Sequence, residues 1–317
     1  MRSIWTKSLG ILLLWVVAVS ASVADTAPSE LLSLGRINDA VNLLNKRDDA
    51  ESFHLLSRAY YAMEQWDDAV RDGERAVSLD PGNSVYHLWL AREYGRKAGD
   101  SNPLAAAGLA RKAKNEFERA VQLDPTNVPA RVDLAQYCTE APAIMGGGLD
   151  KAWEQAALVE KYDAGMAHLI LARIADKQKQ YAEAENQYRL GIKLAKNPAD
   201  MWLQLASFYR ERSRIDDMQN AVQRAMAQSN KRAESYFDAA RELYLGNRNF
   251  RDAQQYLQKY LSSGALVESA PAFRAHYLLG QLNEKMGHGA AAASEYEASL
   301  SLASGFAPAR KALGRVQ

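Results

Sequence analysis

The chain has 317 residues and a near-neutral balance of 39 basic against 38 acidic residues, which gives a formal net charge of +1 at pH 7. This balance excludes a general electrostatic attraction to nucleic acid or to an anionic membrane. The single cysteine, Cys138, excludes an intramolecular disulfide and CxxC chemistry, and we expect it to be a small buried apolar residue.

The amino terminus has the order of features typical of a secretory signal peptide. Arg2 and Lys7 come first, and an apolar run over residues 9–19 follows them. Ser22-Val23-Ala24 then supplies small residues at the two positions that a signal peptidase reads. The apolar run is shorter than the ~20 residues that span a bilayer, which favours a cleaved signal over a membrane anchor.

The sequence therefore predicts a signal peptide over residues 1–24 and one domain over residues 25–317. The signal peptide is expected to direct export and to be cleaved before Asp25, and the expected location is the periplasm. Secretion, or anchoring by an uncleaved signal, is the alternative. In either case the chain meets a membrane only through its signal peptide or through a partner.

A repeated octapeptide marks the organisation of the remaining chain. Residues 74–81 (ERAVSLDP) reappear almost unchanged as residues 118–125 (ERAVQLDP). Each Asp-Pro should end a helix, because the residue before proline is pushed out of the α region. The composition also favours helix, since Pro is rare and Ala, Leu, Arg, Glu and Gln recur throughout.

Helical spacing is clearest in the segment before the first Asp-Pro. Phe53, Leu56 and Tyr60 lie three and four residues apart and share one face of a helix. A second helix follows, with the small residues Ala69 and Ala76 on one face. In this pattern the sequence resembles the tetratricopeptide family, whose unit is two antiparallel helices in about 34 residues.

The resemblance extends along nearly the whole mature chain and implies an all-α fold. The expected architecture is a right-handed α-solenoid of about seven helix-turn-helix repeats. Terminal capping helices are expected near residues 39–46 and 307–316. Two insertions, around residues 99–108 and 142–148, interrupt the pattern without an assigned role, and Met218 stands where the family prefers Ala.

Motifs for catalysis, metal binding or cofactor binding are not found. The five histidines are scattered without metal-ligand spacing. The glycine run over residues 146–148 lacks the Gly-Lys-Ser/Thr that completes a phosphate loop. We therefore expect no cofactor and no enzymatic activity, with a hydrolase as a distant alternative.

The family resemblance implies a binding surface on the concave face, lined by the first helix of each unit. Carried over residue by residue, the ninth position of the unit holds four arginines: Arg58, Arg92, Arg173 and Arg241. The fifth and twelfth positions add aromatic and apolar candidates: Tyr61, Leu88, Leu203, Phe237, Tyr244 and Tyr277. An arginine ladder along the groove is the expected result.

Arginine offers a planar fork for carboxylates, so this groove suits an extended, acidic peptide of a protein partner. In the alternative interpretation the arginines pair with acids on adjacent helices and only solvate the surface. The predicted function is a non-enzymatic scaffold or adaptor for protein–protein interaction in the bacterial periplasm. An assembly or structural subunit of an envelope export machine, for polysaccharide or pili, is the second hypothesis. The pattern specifies neither the partner nor the oligomeric state.

Overall fold

The computed structural model describes residues 26–317, so the predicted signal peptide lies outside the described residues. Apart from one 3₁₀ turn, the regular elements in the described range are all α-helices, which confirms the all-α prediction. The helices are α1 Pro28–Ser33, α2 Ile37–Leu44, α3 Ala50–Ala62, α4 Trp66–Leu79, α5 Ser84–Gly99, α6 Pro103–Leu123, α7 Val128–Glu140, α8 Leu149–Glu160, α9 Ala164–Lys177, α10 Tyr181–Leu194, α11 Pro198–Glu211, α12 Ile215–Met226, α13 Glu234–Leu245, α14 Phe250–Ser262, α15 Ala272–Lys285, α16 Gly289–Leu302 and α17 Ala307–Val316.

Helices α3 to α16 form seven consecutive pairs, each packed against the next, as the repeat pattern predicts. The predicted capping helices are present as α2 and α17, and α1 is an additional helix that the sequence did not indicate. Two predicted helix ends are also confirmed. Helix α4 stops at Leu79 and α6 at Leu123, each followed by the aspartate of an Asp-Pro pair.

A left-handed residue recurs in the turn between the two helices of a unit. Glu64, Lys179, Ser213 and Asn247 have φ values between 52° and 62°, and Gly287 has a φ of 79°. The residue after each of them donates its amide to a carbonyl five residues earlier, which is a helix-ending Schellman arrangement. The same local geometry therefore reverses the chain in each of these turns.

The two insertions have different structural outcomes. The first lengthens α5 and α6, and α6 reaches 21 residues. The second forms a 3₁₀ turn over Ala143–Met145 and the three following glycines. At Gly147 a Cβ atom would lie 1.9 Å from the carbonyl oxygen of Ala141, so only glycine fits there.

Small residues occupy the eighth position of every unit, where two helices approach each other. The residues Ala91, Ala135, Ala172, Ala206 and Ala240 are fully buried there, with Ser57 and Gly280 at the ends of the series.

A polar pair also connects the helices of several units. His87 bonds to Glu116 at 2.5 Å, His168 to Gln187 at 2.6 Å and His276 to Glu295 at 2.7 Å. These histidines are therefore structural.

The two ends of the solenoid pack against each other and close it. Leu31 and Ile37 belong to one buried cluster with Phe273 and Phe306 from the last helices. The rings of Phe273 and Phe306 meet edge to face, with centroids 5.1 Å apart. We call this junction of α1–α3 with α15–α17 the seam. Burial of these large side chains makes the hydrophobic effect the main stabilising contribution to the seam.

Hydrogen bonds across the seam fix how the two ends are aligned. The Asn38 side chain donates to the Ser301 carbonyl at 3.0 Å and accepts from the Ser304 amide at 2.9 Å. Gln65 donates to the Gly305 carbonyl at 3.2 Å. Arg310, Lys311 and Arg315 on α17 are exposed, but its Ala309 is packed in the seam cluster. Helix α17 therefore both caps the solenoid and closes it.

Candidate protein-binding site

A cavity of about 630 Å³ lies on the inner side of the seam. First helices from both ends of the chain line it, because the closure brings α13 and α15 next to α3 and α5. Five arginines and three carboxylates face it: Arg58, Arg92, Arg96, Arg241 and Arg274, with Glu64, Asp100 and Glu268. We call this space the seam cavity. Its lining has an excess of two positive charges.

Trp89 forms an aromatic platform between two of these arginines. The guanidinium carbons of Arg58 and Arg92 each lie 4.9 Å from the centre of its ring. Tyr61 approaches the same ring edge to face, with centroids 5.6 Å apart, and also contacts Trp66 at 5.4 Å. Cation–π contacts of this kind hold the arginine side chains in defined positions.

Three of the arginines are already paired with acceptors of the protein. Arg58 forms a two-pronged ion pair with Glu268, with Nε 2.7 Å from Oε1. Arg92 donates to Asp133 of α7 at 2.6 Å. Arg274 pairs with Glu64 at 3.0 Å and bonds to a main-chain carbonyl. The alternative interpretation, pairing with acids on adjacent helices, therefore holds for Arg92, whereas Arg58 pairs with an acid of the loop before α15.

The loop that carries Glu268 is held by the hydroxyl of Tyr260. This hydroxyl donates to the carbonyl of Ala270 at 2.6 Å and accepts from the amide of Val267 at 2.9 Å. Tyr260 is fully buried, and its pKa is raised to about 12 because burial disfavours the phenolate. Glu268 is therefore held against Arg58 by a rigid support.

The predicted groove residues fall into three groups. Arg58, Arg92, Arg241 and Tyr61 come together in the seam cavity, as the ladder hypothesis implies for part of its length. Arg173 lies instead in a separate polar pocket of about 290 Å³, where it donates to Gln136 at 3.0 Å. A continuous ladder of four arginines is therefore not formed.

The apolar groove candidates Leu88, Leu203 and Phe237 were assigned wrongly. Their exposed fractions are 4 %, 5 % and 8 %, so they belong to the core. Phe237, for example, packs with its ring centroid 6.3 Å from that of Tyr260 in the second helix of its own unit. Large apolar side chains at this position turn into the space between helices, because burial removes them from water.

Tyr244 and Tyr277 are half-buried and lie outside the seam cavity lining. Tyr277 packs edge to face on Phe306, with centroids 5.2 Å apart, and accepts a hydrogen bond from Gln281. Burial raises the pKa of both phenols above the ordinary value. Tyr277 therefore packs against Phe306 of the seam and does not line the cavity.

The sequence interpretation missed Arg96, Arg274 and Trp89. Arg96 follows Arg92 by one helical turn on α5, and this spacing could have indicated it. Arg274 reaches the cavity only because the last units fold back onto the first. His54, at the fifth position of the first unit, is buried beside Trp89 and Tyr86. Burial lowers its pKa to about 3, so it is neutral.

The described part of the chain has no cluster of three His, Cys, Asp or Glu side chains that could hold a metal ion. Cys138 is buried, as expected, and burial raises the pKa of its thiol. None of the helices within residues 26–317 has both the length and the apolar character needed to cross a bilayer.

Three solved structures to which the chain is similar have low sequence identity to it. A thermophilic TPR protein of Thermus thermophilus is 19% identical, with a TM-score of 0.47, over 57% of this chain and 98% of that one. PilW, a type IV pilus biogenesis factor, is 19% identical, with a TM-score of 0.42, over 74% and 97%. A tetratricopeptide repeat protein from Parabacteroides merdae is 14% identical, with a TM-score of 0.42, over 84% and 98%. A search of curated proteins finds no match.

Two models of the tetratricopeptide repeat match the sequence, over residues 50–83 and over residues 167–198. The first range contains the pair α3 and α4, and the second contains α10 with most of α9. Both matches therefore coincide with helix pairs that the structure forms, and the other pairs continue the same packing. Proteins with such repeats are typically non-enzymatic scaffolds that bind other proteins. The chain therefore contains tetratricopeptide repeats.

Proposed function

We propose that the mature chain is a non-enzymatic scaffold that binds an acidic segment of a partner protein in the seam cavity. The observation that carries this proposal is that five arginines and three aromatic side chains line one space of about 630 Å³. Preformed pockets of this size commonly bury a ligand, and guanidinium groups bind carboxylates through paired hydrogen bonds.

The chain is exported and works in the periplasm. The support for this step is the order of charged, apolar and small residues within residues 1–24. Amino-terminal sequencing of the protein from the cell envelope tests it. The expected sequence begins at Asp25, and a protein that still begins at Met1 contradicts cleavage.

A capture experiment tests the binding. The mature chain is immobilised and exposed to envelope extract, beside a variant with Arg92→Glu and Arg241→Glu. Retained proteins should be lost with this variant and should decrease as salt rises, because partly exposed ion pairs are screened over ~8 Å at physiological ionic strength.

The matched control is Arg251→Glu, since Arg251 is exposed on α14 and is not part of the cavity lining. This variant should retain the same proteins as the unmodified chain. Equal capture by all three chains would place the binding surface elsewhere and contradict the proposal.

A further inference from the structure

Two arginines of the seam cavity differ from the other three in their partners. Arg96 donates through Nε to the Tyr61 hydroxyl at 3.2 Å, and no carboxylate of the described residues forms an ion pair with it. For Arg241 the nearest carboxylates are those of Glu242 and Asp238, at 3.7 Å and 3.8 Å. These separations are longer than a hydrogen bond.

The carboxylate of Glu242 forms an ion pair with another arginine, Arg210. It is 2% exposed and accepts from Nε of Arg210 at 2.7 Å. Arg241, by contrast, is about half exposed. The guanidinium groups of Arg96 and Arg241 therefore retain donors that can bind an anion without breaking a hydrogen-bonded ion pair.

The positive charges near Arg96 and Arg241 also favour the binding of an anion. Burial lowers the pKa of Arg274 below its ordinary value, and the nearby charge of Arg96 acts in the same direction. Arg274 stays protonated, because a guanidinium does not lose its proton in proteins. An added negative charge in the cavity would thus relieve repulsion among cations.

We infer that a carboxylate of the bound segment lies between Arg96 and Arg241 and connects the second unit to the sixth across the cavity. This inference rests on the proposed function and specifies its anion site. Arg58, Arg92 and Arg274 keep their internal partners and form the wall of the site. A ligand that connects two distant units should also hold the closed solenoid together.

The test is a titration of the mature chain with hexaglutamate, followed by tryptophan fluorescence, to which Trp66 and Trp89 of the cavity lining contribute. Arg96→Gln and Arg241→Gln should each weaken binding about tenfold or more, the usual effect of losing a charge-assisted hydrogen bond. Arg251→Gln should bind like the unmodified chain. The melting temperatures of all these variants without peptide should agree, since neither cavity arginine forms an internal ion pair at hydrogen-bond distance.

Saturating peptide should raise the melting temperature of the unmodified chain, because a ligand that binds only the folded state stabilises it. This rise should be absent in both cavity variants. If hexaglutamate binds with equal affinity to Arg96→Gln, Arg241→Gln and the unmodified chain, the anion site is wrong while the proposed function stands. If the unmodified chain does not bind it, both fail. If inorganic phosphate competes at equal concentration, the site takes free anions and the peptide assignment is overturned.

Discussion

The guanidinium of Arg274 donates two hydrogen bonds to the main-chain carbonyl of Ala62, at 3.0 Å and 2.8 Å, although the two residues are 212 positions apart. Ala62 is the last residue of α3, where carbonyls have no partner within the helix. A side chain from the last repeat thus caps the first helix of the first repeat. The two ends of the solenoid are joined by polar as well as apolar contacts.

Loss of this cap should loosen the seam. Arg274→Gln cannot supply both bonds and leaves Glu64 without its ion-pair partner, so we expect a loss of about 1–3 kcal/mol in the free energy of unfolding. Amide hydrogen exchange should rise in α1, α2 and α17 more than in the central helices. Arg251→Gln is the control and should change neither quantity. Unchanged exchange at both ends would show that the seam does not depend on this contact.

A second prediction concerns the eighth position of the last unit. At Gly280 a Cβ atom would lie 2.3 Å from Cε1 of the fully buried Tyr296. Gly280→Ala should therefore force the ring to move and destabilise the fold by ~1–3 kcal/mol, the range for overpacking. A thermal melt measures the effect.

Gly314 provides the matched control, because it lies within α17 and nothing stands within 4 Å of its added Cβ. Gly314→Ala should stabilise the protein by up to about 1 kcal/mol through helix propensity. A Gly280→Ala variant that gains stability in the same way would contradict the close packing on Tyr296.

The repeat fold was predictable because its signals are local. Helical spacing and the Asp-Pro helix ends both lie within one unit, and each is confirmed by the structure. Met218, which stands where the family prefers Ala, is accommodated by a second residue. Met218 is fully buried, and a Cβ at Gly246 would lie 2.3 Å from its methyl carbon, so the absence of a side chain at Gly246 leaves space for the methionine.

The seam and its cavity were not predictable in the same way. Closure depends on a small rotation at every unit, and the sum over seven units decides whether Phe273 and Phe306 reach the first helices. Arg58 and Arg92 could be chosen from their position in the repeat, whereas their partners Glu268 and Asp133 could not. The ion pair of Arg58 exists only because the chain returns to its beginning.

A third prediction follows from the pair formed by Arg210 and Glu242, which joins the fifth unit to the sixth. Glu242 is 2% exposed, and its Oε2 lies 2.7 Å from Nε of Arg210. Arg210→Met leaves this carboxylate buried without its closest partner and should cost roughly 3–5 kcal/mol. Thermal or denaturant unfolding measures the loss.

The double variant Arg210→Met with Glu242→Leu removes both charges together. It should recover most of the stability, because an apolar pair of similar volume avoids the desolvation of two ions. If the double variant is as unstable as Arg210→Met alone, the loss comes from packing and the buried ion pair is not its cause.

The last prediction concerns Glu93, a fully buried residue of α5 whose two carboxylate oxygens have no hydrogen-bond partner among the described residues. It faces Gly73, where a Cβ would lie 2.1 Å from Oε2. The nearby Ser57 hydroxyl donates to the carbonyl of His54 at 2.8 Å instead. Burial raises the pKa of Glu93 to about 8, and the negative charges of Asp72 and Glu74 add to the shift.

The sign of the pH dependence follows from this shift. Between pH ~4.5 and ~8 the carboxyl of Glu93 keeps a proton in the folded state that it has lost in the unfolded state. The free energy of unfolding should therefore fall as the pH rises through this range and level off above pH ~8. Glu93→Gln removes this titration. At about 1.4 kcal/mol per pKa unit, its stability relative to the unmodified chain should rise by a few kcal/mol between pH 5 and pH 9.

Urea unfolding of both proteins at pH 5 and pH 9 measures the difference. His87, whose pKa is raised by its bond to Glu116 against the opposing effect of burial, loses stabilisation in a similar pH range. It does so equally in both proteins, so the comparison with Glu93→Gln isolates the buried carboxyl. A constant stability difference at the two pH values would mean that Glu93 titrates normally, through a water or a rearranged neighbour that satisfies its charge.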